Sequence, residues 1–220
     1  MSKTYIVGDI HGCYYTLLDV LSEIRKTYEK GDNLVFLGDY FDRGKYSAPV
    51  YATLRNLENQ FKESNVVLLR GNHEQMWLDA IDNDDSYLWL CNGGQITIDS
   101  FAEYDIEEKE VREWLSKLPY AWYDCENNLY CVHSYLPHLE IEDFNKEEKY
   151  NCIWKRSISS VGARVFHGHT PYINSIVMSV NDINLDTGCI FGGGLSFAIV
   201  EKKRVALTTI PTHSCDKRSN

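Results

Sequence analysis

Three short stretches concentrate reactive side chains: Gly8-Asp9-Ile10-His11-Gly12, Gly38-Asp39-Tyr40-Phe41-Asp42-Arg43-Gly44 and Arg70-Gly71-Asn72-His73-Glu74. Carboxylate, imidazole and amide oxygen, with no thiolate among them, make a hard to borderline donor set that suits manganese, iron, zinc or nickel. The glycines let the backbone turn sharply beside an ion and come close to a phosphate. One Asp-x-His pair alone is ordinarily a capped turn. Three such clusters in sequence make a candidate metal centre.

Each cluster ends a short, continuously apolar run: TYIV before Gly8, NLVFL before Gly38 and NVVLL before Arg70. Runs of that kind read as strands buried on both faces. The segments between them are helical in period, through Leu17, Leu18, Val20, Leu21, Ile24 and Tyr28, and then from Ala48 to Phe61 through Tyr51, Leu54 and Leu57. A β-α-β-α-β order predicts parallel strands with right-handed crossovers. Their carboxyl ends then open onto one crevice, so the clusters converge. From Met76 to Leu118 the pattern is helical, broken at Asn92-Gly93-Gly94. After Pro119 it becomes strand-like, with a hairpin about Asn127-Asn128 and strands over VFHGH, SIVMSV, DINLD, LSFAIVE and RVALTTI. These elements predict an α/β fold with two sheets between helical layers in a single domain over 1–220, the last ten residues forming a frayed tail.

The whole chain restricts the partners. With 220 residues and 44% hydrophobic composition it can build a full core. A formal charge of -10 disfavours nucleic acid, whose binding rests on basic groups. No apolar leader and no membrane-length apolar stretch is visible, so the expectation is a cytoplasmic protein without membrane association. The seven cysteines form no CxxC pair and read as reduced thiols. A monomer is expected.

GDIHG, GDYFDRG and GNHE, in this order and at these separations, resemble the signature motifs of the phosphoprotein phosphatase family of binuclear metallophosphoesterases. The likeness extends to RGNHEQM with a downstream NGG, LPYAWY, VHSYLP, IWKR, HGHTP and NLDTGCIFGG, which are similar to the small lambda-phage-type protein serine/threonine phosphatases. It covers roughly residues 5 to 200. It implies the calcineurin-like metallophosphoesterase fold, a four-layer αββα sandwich of two mixed sheets flanked by helices.

The resemblance also implies roles. Asp9 and His11 would bind one metal, Asp39 would bridge, and Asn72, His133 and His169 would complete the second. His169 is favoured over His167 because it alone directly precedes Thr170-Pro171. Two divalent ions, manganese first and iron, zinc or nickel as alternatives, would hold a bridging hydroxide for in-line attack on phosphorus. Arg43 and Arg156, with Arg70 third, would bind the phosphate, since a guanidinium pairs two oxygens and keeps its charge. His73 resembles the general acid, oriented by Asp42. Asp186 would support the metal histidines. His138 and His213 carry no role, Lys155 reads as solvated, and Cys13 and Cys189 are neighbours of motifs.

The activity these features imply is hydrolysis of phosphomonoesters, first of all on phosphoserine and phosphothreonine of proteins, with phosphotyrosine or small phosphoesters as wider substrates. The alternative is a dinucleoside polyphosphate hydrolase such as the diadenosine tetraphosphatases. The symmetric members of that group resemble GD-x-x-A-RG and GNHD, whereas this chain has Asp42 and Glu74. A scaffold without catalysis would have lost ligands, and here every candidate is present. Substrate choice is expected in Asp82 to Phe101 and around Tyr135.

Overall fold

A computed structural model describes residues 2–61 and 65–217. Among the described residues ten strands and eight α-helices follow in order: β1 (Thr4–Val7), α1 (Tyr14–Arg25), β2 (Asn33–Phe36), α2 (Ser47–Arg55), α3 (Leu57–Gln60), β3 (Asn65–Leu68), α4 (Asn72–Asn83), α5 (Tyr87–Cys91), α6 (Gly94–Glu103), α7 (Glu108–Leu115), β4 (Ala121–Asp124), β5 (Leu129–Val132), α8 (Lys146–Trp154), β6 (Arg164–His167), β7 (Val177–Met178), β8 (Asp182–Asn184), β9 (Leu195–Glu201) and β10 (Arg204–Ile210). One sheet runs β10-β9-β1-β2-β3, and the other runs β4-β5-β6-β8-β7.

Side-chain alternation along the first sheet explains the layering. Tyr5, Val7, Leu34 and Phe36 point to the core shared with α1, α2, α4, α6 and α7. Ile6, Val35, Leu37, Val67 and Leu69 point the other way and meet Leu129, Cys131, Phe166, Ile183 and Leu185 of the second sheet. The second sheet turns Tyr130, Val132 and Val165 outward to Cys152 and Ile153 of α8. A strand whose successive side chains enter two different cores must be apolar throughout, which is why these runs are unbroken. The result is a mixed, two-sheet sandwich with helices on both outer faces, as the motifs imply.

Strands β1, β2 and β3 are parallel in register, and so are β5, β6 and β8 in the other sheet. The segments that follow these six strands carry Asp9, Asp39, Asn72, His133, His169 and Asp186, Asn72 as the first residue of α4. Parallel direction therefore delivers them all to carboxyl ends of strands.

The structure corrects three local expectations. The helix from Ala48 breaks at Asn56, leaving α3 as a single turn. SIVMSV forms only the two-residue edge strand β7. The C-terminal segment is packed as far as residue 217. Asp216 Oδ2 accepts hydrogen bonds from Thr16 N (2.7 Å) and Thr16 Oγ1 (2.6 Å), and Thr212 Oγ1 donates to the carbonyl of Cys189 (2.8 Å). Since Cys13, at the start of α1, makes no side-chain cap, Asp216 supplies from a distance the acceptor that this helix end requires. Residues 218–220 of the expected tail lie outside the described residues. No disulfide forms among the described cysteines, and no described helix is long and apolar enough to cross a membrane.

Candidate metal centre

Asp39 is the middle of the site. Its Oδ2 lies 3.5 Å from His11 Nε2 and 3.9 Å from His73 Nε2, and its Oδ1 lies 3.3 Å from His133 Nε2. Two buried groups of potential ligands share it: His11, Asp39 and His73, and then Asp39, His133 and His169. Asn72 Oδ1 stands 3.0 Å from His133 Nε2 and 2.9 Å from His169 Nδ1, so it joins the second group. Asp9 anchors the other end of that loop: its Oδ2 accepts from His169 N at 3.0 Å, while its Oδ1 is buried with no hydrogen-bond partner.

Backbone carbonyls fix the rings. His11 Nδ1 is 2.8 Å from the Phe41 carbonyl and His133 Nδ1 is 2.9 Å from that of Leu37, so each turns Nε2 toward Asp39. Hydrogen bonding of one imidazole nitrogen by a carbonyl selects the tautomer with a lone pair on the other, which is the form a metal takes. Five of the ten described non-glycine residues with positive φ are His11, Asp39, Asp42, Arg43 and His169. Such backbone costs free energy and clusters where the surroundings impose it. Two glycines are required by proximity: a Cβ at Gly168 would stand 1.9 Å from Asp9 Oδ1, and one at Gly71 2.2 Å from Asp39 Oδ1.

The electrostatics match the donor set. Burial pushes Asp9 up, helped by Asp186 and Asp39. Burial also acts to raise Asp39, yet His133, His73 and His11 around it hold this carboxyl well below the usual range. Burial, then the Arg43 guanidinium, moves His11 down, and burial lowers His133 and takes His169 to about 3. Neutral imidazoles around an ionised carboxylate are the protonation states that ligate. The buried Asp9 Oδ1, without a partner, is an atom that a dication would satisfy. The residues therefore fit a pair of divalent ions sharing Asp39.

His73 is held by Asp42, whose Oδ2 lies 2.6 Å from His73 Nδ1. Trp89 Nε1 (3.0 Å) and Thr97 Oγ1 (2.7 Å) donate to the same carboxylate. Glu74 ties the second and third motifs together by accepting from Asp39 N (2.8 Å), Tyr40 N (2.9 Å) and Gly71 N (2.9 Å). Trp89 and Thr97 carry no signal in the sequence, since nothing in the pattern of α5 or α6 separates them from core residues, and Glu74 is visible there only as the last letter of GNHE. The Asn92-Gly93-Gly94 break lies against the second motif: Gly93 accepts from Arg43 N, and a Cβ at Gly94 would strike the Trp89 ring.

The arginines divide. Arg43 Nη1 is 2.7 Å from His11 Nε2, and Arg156 Nε is 3.3 Å from His169 Nε2, so each meets a different one of the two groups that share Asp39. Arg70 does not join them. Its Nη2 donates to the carbonyls of Leu115 and Ser116 (both 2.9 Å), and its Nη1 donates to Gln75 and Tyr120. The expected phosphate contact is thus corrected: this guanidinium pins the end of α7 and the segment after it. His167 pairs with Asp182 at 2.7 Å and is no ligand. Asp186 accepts from Gly188 N and makes no hydrogen bond to the histidines, against expectation. Lys155 lies over the Tyr135 ring rather than wholly in solvent.

A family model described as calcineurin-like phosphoesterase matches residues 2–197. Serine/threonine-protein phosphatase 1 of Salmonella typhimurium is 32% identical over 206 residues, covering 90% of this chain and 91% of that relative. The asymmetrical bis(5'-nucleosyl)-tetraphosphatase of Halalkalibacterium halodurans is 23% identical over 221 residues, covering 87% of each chain. Among solved structures, a cold-active protein-tyrosine phosphatase of Shewanella has a TM-score of 0.72 at 17% identity, covering 97% of this chain and 81% of that one. At such identity the likeness concerns the fold alone.

Proposed function

The chain belongs to the calcineurin-like phosphoesterase family, and from that membership we propose that it is a metal-dependent protein serine/threonine phosphatase. A phosphoester hydrolase of this family uses divalent metals. In this chain Asp39 would be shared between the two ions, His11 and Asp9 would serve one, and Asn72, His133 and His169 the other, a donor set that suits manganese, iron, zinc or nickel, with manganese first by the family resemblance. When bound, the ions supply Lewis acidity toward phosphoryl oxygens and lower the pKa of water near neutrality.

The residues do the rest. Arg43 and Arg156, one beside His11 and the other beside His169, hold and orient the phosphoryl oxygens and meet the charge that develops on them. His73 gives the proton at Nε2 to the leaving alkoxide, and Asp42 fixes that ring through Nδ1. Phosphoserine and phosphothreonine have poor leaving groups, for which such an acid matters most. The buried Asp42–His73 pair is the observation that carries the reading. The higher identity to the phosphatase relative than to the tetraphosphatase relative supports it further.

The test compares kcat/KM for a phosphoserine peptide, p-nitrophenyl phosphate and diadenosine tetraphosphate after metal is added back to chelated protein. The peptide and the aryl phosphate are expected as substrates. A preference of about a hundredfold for the dinucleotide would overturn the proposal.

A further inference from the structure

A cavity of about 250 Å³ opens beside Arg156, lined by that residue, by Thr170 and by the β6–β8 connection. Its floor is polar but already satisfied. His167 Nε2 lies 2.7 Å from Asp182 Oδ1, Asp182 Oδ2 accepts from Ser159 N, and Asn184 Nδ2 donates to the Thr170 carbonyl while its Oδ1 accepts from Asp186 N. Its wall is apolar and exposed: Ile158, Tyr172, Val177 and Met178 all turn substantial surface to solvent. Exposed apolar side chains gathered around a concavity mark a recognition surface. His167, Asp182 and Asn184 of the floor are engaged in these bonds, so among the lining residues it is the exposed wall of Ile158, Tyr172, Val177 and Met178 that offers contact to an apolar group, beside the side chains of Lys155, Arg156 and Ser157.

Position selects the occupant. His73, with Nε2 aimed past Asp39 Oδ2, stands beside His11, whereas Arg156 stands on His169, beyond Asp39 Oδ1 and His133. The leaving oxygen lies with its acid, on the His73 side. The cavity lies on the Arg156 side, so it is reached not by the group bonded to that oxygen but by a neighbour along the chain. Resting on the protein-phosphatase reading, we propose that this cavity is a subsite for a large apolar side chain adjacent to the phosphorylated residue of a peptide substrate.

The test uses phosphoserine peptides with leucine or alanine next to the phosphoserine on either side, p-nitrophenyl phosphate, and the variants Met178→Asp and Ile158→Ser, each checked for an unchanged melting profile. The wild type is expected to favour leucine on one side by about tenfold in kcat/KM, the scale of burying one aliphatic side chain. Both variants should erase the preference and leave p-nitrophenyl phosphate hydrolysis intact. Hydrolysis of all peptides without preference, a preference that survives both variants, or an equal loss on every substrate would overturn the subsite alone. Turnover of p-nitrophenyl phosphate with none of the peptides would overturn the protein-phosphatase reading, and the subsite with it.

Discussion

His73 Nδ1 lies 2.6 Å from Asp42 Oδ2, while His73 Nε2 is buried without a hydrogen-bond partner and faces Asp39. One nitrogen is thereby anchored and the other aimed. If the aimed nitrogen delivers the proton, Asp42→Asn lowers kcat on a phosphoserine peptide by about 10²–10⁴, the range for a lost general acid. The loss on p-nitrophenyl phosphate, whose leaving group needs little protonation, is much smaller. Metal content, measured in parallel, stays at the wild-type value. Equal losses on both substrates would remove the pair from proton transfer.

Arg156 and Arg70 should fail in different assays. Arg156→Ala removes a group that touches the site and lowers kcat/KM by about 10²–10³ with the melting temperature unchanged. Arg70→Ala strands the carbonyls of Leu115 and Ser116 and costs about 1–3 kcal/mol of stability in urea unfolding. Its kcat/KM at low temperature stays near that of the wild type. The opposite pattern would restore Arg70 to the phosphate.

The cap on α1 comes from far along the chain. Asp216→Ala leaves Thr16 N and Tyr15 N without their acceptor and should lower unfolding free energy by about 0.5–2 kcal/mol, as lost N-caps do. An unchanged urea midpoint would show that residues 211–217 rest on α1 without stabilising it.

Glu74 gives a pH signature. Burial, then the neighbouring Asp39 carboxylate, pushes it from 4.5 to about 7. A folded value above the unfolded one means a contribution to stability that is complete below pH 4.5 and is lost as pH rises to about 7. In chelated protein, Glu74→Gln is less stable by a constant offset from its altered bonds to Asp39 N, Tyr40 N and Gly71 N. The gap to wild type should narrow across that pH window. A gap independent of pH would contradict the assignment.

Much of this centre was legible in order rather than in space. The unbroken apolar runs of β1, β2 and β3, each ended by glycine and a ligand-type residue, define both the parallel sheet and where its loops lead. The motif histidines His11, His133 and His169 converge because parallel strands in two sheets leave their carboxyl ends on one side. What supports them was not legible. Trp89 and Thr97 meet Asp42 through the packing of α5 and α6, and that packing has no local signal. Arg70 shares its residue type with Arg43 and Arg156, yet in the connection between β3 and α4 its guanidinium bonds to the end of α7. Asp216 lies in a polar, glycine-free terminus that reads as frayed, and its value as a cap exists only once α1 is beside it.

The central claim is that Asp39 is shared between two metal ions. Equilibrium dialysis of Mn2+ against chelated wild-type protein and Asp39→Asn, with bound metal counted per folded chain, addresses it directly. The account predicts two ions per wild-type chain and, in the variant, at most one held weakly, because both groups of ligands lose their common carboxylate. Two tightly held ions in Asp39→Asn, or none in the wild type, would contradict it.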